Sequence, residues 1–139
     1  MVLAAYGTHV DEGTIEAQAR MEPQGTAIEE LERLARHFGL VAEIQEATVE
    51  RLRLLLVEGK LPIAYIDRAV YDLTPAQRRR HPLRDARMHN IVPVRITPAS
   101  VTYHDPLPPG RIVRKSIGLF RLAYERLDRT CVVCSRREA

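Results

Sequence analysis

The sequence predicts an α+β fold, with helices in its first half and an antiparallel sheet in its second. Two observations carry this. Up to Gly59 the apolar residues recur at three- and four-residue spacing, whereas beyond it they fall in short runs rich in valine and isoleucine, bounded by Gly, Pro and Ser. No internal repeat or low-complexity tract interrupts this order.

A short helix is expected over residues 9–20, with "MEPQ" as its exit. In "GTAIEELERLARHFGL", Thr26 followed by Glu29 forms a capping box. Ile28, Leu31, Leu34, Ala35 and Phe38 share one helical face, and Gly39 is the stop. "VAEIQ" reads as a short strand, and "ATVERLRLLLVEGK" repeats the helical grammar with Thr48 as N-cap and Gly59 as terminator. Strands are then expected at "LPIAYI", "HNIVPVRI", "SVTYH", "GRIVRK" and "TCVVCS", with the helix "SIGLFRLAYERL" capped by Ser116 before the last. Pro93 argues that its strand lies at an edge or is interrupted. Residues 67–88 form an inserted loop, in which Thr74-Pro75 starts a brief helix through Arg80. A solvated excursion or a flap over a site are its two readings.

At 139 residues a single domain is expected, one that buries about two thirds of its unfolded surface. It divides into a helical lobe over 1–58 and a β lobe over 61–135. Apolar residues make up 45% and charged residues 28%, and no apolar run approaches the ~20 residues of a membrane span. "MVLAAYGTHV" lacks the basic start and apolar length of a signal peptide, so a cytoplasmic protein is expected. Residues 1–66 carry six Lys/Arg against eleven Asp/Glu, and residues 67–139 carry fifteen against seven. Two such halves would attract each other if they form two lobes. Arg78, Arg79, Arg80, Arg84 and Arg87 would be the footprint of a nucleic-acid binder, but aromatic residues are only 5% of the chain, which leaves no stacking platform. No nucleic-acid partner is expected. Cys131 and Cys134 form a C-x-x-C, yet on a strand they face opposite ways and no second ligand pair exists, so they read as small apolar residues and no metal is expected.

In the hairpin of "HNIVPVRI" and "SVTYH", His89 and Asp105 both fall at the open end, away from the "TPAS" turn. A carboxylate there would hold the imidazole tautomer and stabilise its cation, as two members of a catalytic triad do. A solvated pair or a turn cap has the same spacing, which alone leaves both readings open.

The stretches "MVLAAYG", "GTAIEELERLARHFGL", "LPIAYI", "HNIVPV", "VTYHDP" and "SIGLFRLAYERL" occur in an order that resembles the double-glycine leader peptidases, the bacteriocin-processing cysteine peptidases of family thirty-nine, whose fold is papain-like. The interval from His89 to Asp105 is also similar to theirs. The resemblance implies that His89 is the general base, that Asp105 orients it, and that no cofactor takes part. It implies a leader-peptide substrate cut after small residues such as Gly-Gly, and an ABC transporter as a partner.

It further implies a nucleophilic cysteine at the N-terminus of the first helix, roughly a dozen residues or three helical turns before Gly7, and a glutamine upstream of it for the oxyanion hole. Both positions precede Met1. Nothing else substitutes: Cys131 and Cys134 lie in a terminal strand, Ser100 lies in the turn far from His89, and His9, His37, His81 and His104 read as surface or helix-end residues. The expectation is an N-terminally truncated papain-like domain, inactive in this form, with a start inside the first helix. The alternative is a non-catalytic peptide-binding or structural module of the same descent.

Overall fold

The computed structural model describes residues 28–106 and 110–136. The helix expected over residues 9–20 and the Thr26 cap lie outside them. Helix α1 (Ile28–His37) places Glu29 and Glu30 in its first turn and Arg36 and His37 in its last, charges that complement the helix dipole at both ends. It ends at Gly39, whose φ of 88° is a left-handed conformation that a side chain would strain. Strand β1 (Leu40–Glu46) follows, then α2 (Val49–Val57), whose Thr48 hydroxyl accepts a hydrogen bond from the Arg51 amide at 3.1 Å.

Strand β2 (Leu61–Asp67) opens the second half. The expected loop is organised. A 3₁₀ turn (Arg68–Asp72), a short helix α3 (Pro75–Arg80) and a second 3₁₀ turn (Leu83–Asp85) fill it. Thr74 and Gln77 close a reciprocal capping box at the start of α3, with Pro75 pre-setting its first turn. Strands β3 (Met88–Ile96), β4 (Ser100–Asp105) and β5 (Arg111–Ser116) then run to α4 (Ile117–Glu125), whose cap is Ser116 as expected, and β6 (Thr130–Arg136) ends the described chain.

The six strands form one sheet in the order β1-β6-β2-β3-β4-β5, every pair antiparallel. The strand expected inside the helical half thus belongs to the sheet, paired along its length with β6. Helices cover both faces. One core joins Leu52 and Leu55 of α2 and Phe120, Ala123 and Tyr124 of α4 to Ile66, Ile91, Val101, Tyr103 and Cys131 of the sheet. The other joins Ala35 of α1 to Leu40, Ala42, Val92, Val132 and Cys134. Cys131 and Cys134 therefore do face opposite ways, as three-residue spacing on a strand requires.

Pro93 is buried in an interior strand rather than at an edge, and the other half of the expectation holds: the β3–β4 register shifts between Pro93 and Arg95. On its other side the β2–β3 ladder runs only over Ala64–Asp67 and Ile91–Met88 and stops short of Pro93. Proline's missing N–H therefore interrupts no rung of that ladder.

Candidate active site

His89 and Asp105 sit on one face of the sheet. Ile91 and Tyr103, each two residues away along its strand, both point into the α2/α4 core, and strand alternation carries His89 and Asp105 to the same side. His89 opposes Ile66 of β2, and Asp105 opposes Arg111 of β5. The Val92–His104 rung puts His89 and Asp105 on a diagonal, within reach of two polar side chains. The His89 Nε2–H donates to Asp105 Oδ1 at 2.8 Å. Only 15% of the His89 side chain and 4% of the Asp105 side chain meet solvent, so this is not the solvated pair that spacing left open.

The acceptor is a carboxylate, so the proton rests on Nε2 and Nδ1 is left as the basic nitrogen. Such a ring can take a proton from an incoming nucleophile and share the resulting charge with Asp105. Two phenols are close enough to Asp105 to feel its charge. Tyr103 precedes Asp105 by two residues on the same face, and Tyr71 reaches it from the 3₁₀ turn. Burial first, then the Tyr103 hydroxyl and the Asp105 carboxylate, raises the ionisation of Tyr71 far above that of an ordinary phenol. Burial likewise raises Tyr103. The two hydroxyls are close enough to feel each other, yet that of Tyr71 has no aligned hydrogen-bond partner among the described residues. Lys115 Nζ lies 4.6 Å from the centroid of the Tyr71 ring, a cation–π contact that holds the ring in place.

The other residues weighed from sequence fall elsewhere. Ser100 starts β4 at the far end of the hairpin and binds Thr97 and Arg114. Both cysteines are fully buried, and burial pushes the Cys131 thiol up to about 11 and the Cys134 thiol up to about 12, the opposite of what a nucleophile needs. Arg78 donates to the Val70 carbonyl and Arg87 pairs with Asp72, so two of the five loop arginines are engaged within the chain. His9 lies outside the described residues.

One group escaped the sequence reading. Asp67, at the end of β2, is wholly buried, and its carboxylate accepts four hydrogen bonds: from the Ala69 and Arg87 amides at 3.0 and 2.9 Å, from His81 Nε2–H at 3.0 Å and from Arg126 Nε–H at 2.7 Å. Burial alone would raise this carboxyl, but the Arg87 amide, Arg126, the Ala69 amide and His81 outweigh it and hold it below the usual carboxylate range. His81, expected at the surface, is therefore half of a second His–Asp pair. The available signal was an acid closing the apolar run "LPIAYI", where a buried charge demands partners.

The model of the peptidase C39 family matches residues 1–71. The chain belongs to the peptidase C39 family. These are the double-glycine leader peptidases its motifs resemble, and the fold is the papain-like α+β fold of such domains. A C39-like peptidase from Bacillus anthracis matches with a TM-score of 0.74 at 14% identity, over 99% of this chain and 86% of that one. The peptidase domain of Streptococcus ComA, a bi-functional ABC transporter involved in a quorum-sensing pathway, matches with a TM-score of 0.66 at 13% identity, over 98% of this chain and 85% of that one. No curated protein matches. Among the described residues no helix is long and apolar enough to cross a membrane.

Proposed function

We propose that this chain is a single peptidase-like domain of the double-glycine leader peptidase type, built for acyl transfer at a peptide bond, with His89 as general base and Asp105 as the carboxylate that orients it. The observation that carries this reading is the shielded 2.8 Å bond from His89 Nε2–H to Asp105 Oδ1, which leaves Nδ1 for a nucleophile. The family match ends at residue 71, before both residues, so their roles rest on this geometry and on their order in the sequence.

Acyl transfer needs a thiolate facing Nδ1. The 139 residues contain two cysteines, both buried in the sheet, so we propose that this chain by itself holds a peptide without cutting it. The same observation favours the second reading, a peptide-binding module of peptidase descent. The substrate class is a peptide leader of the bacteriocin type ending in small residues, met in the cytoplasm. The ComA peptidase domain supports an ABC transporter as partner.

The test is hydrolysis of a Gly-Gly leader peptide, with binding followed by calorimetry. The 139-residue chain is expected to bind without cleavage, and a longer form that supplies a cysteine facing Nδ1 to show cleavage that His89→Ala abolishes. Cleavage by the 139-residue chain that is lost on His89→Ala would overturn the inactive reading. Binding without cleavage in both forms would leave the module.

A further inference from the structure

We infer that Asp67 is the positioning residue of the His89–Asp105 pair, an inference that rests on the catalytic reading of that pair. Asp67 accepts from the amide of Arg87, twenty positions along the chain, and the Arg68 amide donates to the Arg87 carbonyl at 2.9 Å. The two ends of the intervening excursion are thereby clamped at one carboxylate. Met88 then pairs with Asp67 and His89 with Ile66, so the first rungs of the β2–β3 ladder follow directly from the clamp. The position of the imidazole relative to β2 is set within two residues of it.

The same carboxylate governs the other side of the pair. Asp67 is the N-cap of the 3₁₀ turn, accepting from the Ala69 amide, and that turn brings Tyr71 close to Tyr103 and Asp105. Arg126, at the C-terminal end of α4, and His81, just after α3, fix the orientation of the carboxylate itself. A fully buried acid with both oxygens doubly engaged has one available geometry. Its displacement shifts His89 and Tyr71 together. A loop tie alone would not need to reach both sides of the pair.

The readout is the His89 Nε2–H proton in the NMR spectrum of the full chain, whose exchange with water slows when it is bonded to Asp105. Asp67→Glu keeps the charge but moves the carboxylate by one methylene. It is expected to speed this exchange about tenfold, the factor that goes with loss of an ordinary hydrogen bond. Asp105→Asn serves as the control and is expected to weaken protection at least as much. A protected proton that depends on Asp105 but is unmoved in folded Asp67→Glu overturns the inference and leaves the pair standing. A proton indifferent to both changes overturns the pair as well. Should Asp67→Glu not fold, Arg126→Met, which removes the 2.7 Å bond and leaves both amide contacts, carries the same test with an expected acceleration of about threefold. No change there overturns the inference.

Discussion

Ile66 stands directly across the β2–β3 ladder from His89, and its side chain is wholly buried in the α2/α4 core. The imidazole is thus mounted on a rung whose partner is anchored by packing rather than on a loop. Asp105 has a comparable mount, opposite Arg111 and two residues from the buried Tyr103. Rigid strands on both sides keep donor and acceptor in register, which is the preorganisation that proton transfer requires.

Asp105→Asn tests the tautomer argument. An asparagine can offer either its oxygen or its NH₂ to His89 Nε2, so the imidazole loses both its fixed proton and the stabilisation of its cation. In a form of the chain that carries a cysteine facing Nδ1, kcat for a Gly-Gly peptide is expected to fall by about 10³-fold or more, with KM little changed. Steady-state kinetics check this. An equal loss in KM alone would show that Asp105 acts in substrate binding.

Asp67 makes a pH prediction. Its carboxyl is held lower in the folded protein than its unfolded value of about 4. The stabilisation it provides is therefore complete above that value and is lost as the pH falls through the folded value. Urea midpoints measured from pH 7 down to pH 3 are expected to decline in the wild type, and Asp67→Asn is expected to flatten that decline. At pH 7 Asp67→Ala should cost about 3 kcal/mol or more, because Arg126 and His81 are left facing an empty buried position.

The fold was legible because every described helix start, and every strand after Gly59, carries a local signal. Thr48, Thr74 and Ser116 cap their helices as their hydroxyls allow, and Gly39 and Gly59 end theirs with positive φ. The bond between His89 and Asp105 was legible as a hairpin register, since both ends of a two-strand unit are close in sequence. Asp67 was not. Its partners His81 and Arg126 lie 14 and 59 positions away, and no periodicity links residues brought together by a folded loop and the end of a distant helix. The membership of β1 in the sheet was hidden for the same reason, its partner β6 being the last element described.

The two thiols are expected to be inert in the native protein. Burial pushes Cys131 up to about 11 and Cys134 up to about 12. At pH 8 the thiolate is then on the order of one part in a thousand or less, and the sulfur atoms are also sterically shielded. Alkylation by iodoacetamide at pH 8 is expected to be far slower in buffer than in urea, where both thiols return to ordinary values and full exposure. Rapid native labelling of either cysteine would contradict its burial and reopen it as a nucleophile.

The turn between α4 and β6 holds Asp128 and Arg129 at φ of 60° and 55°, the only non-glycine residues with positive φ among those described. A left-handed conformation costs a residue with a side chain about 1 kcal/mol, and an aspartate followed by glycine is the pair best suited to two such positions in a row. The Arg129 side chain pairs with Glu46 at 2.8 Å, but both groups are largely exposed and such a pair contributes little. The Arg129 carbonyl matters more, since it accepts from the Ala47 amide and from the Tyr124 hydroxyl, and glycine keeps it. Arg129→Gly is therefore expected to stabilise the protein by about 0.5–1 kcal/mol, read as a higher Tm in thermal unfolding. Tyr124→Phe, which strips one donor from the Ala47 and Arg129 carbonyls, is expected to lower it, and a fall in both variants would show that the guanidinium rather than the backbone holds this turn.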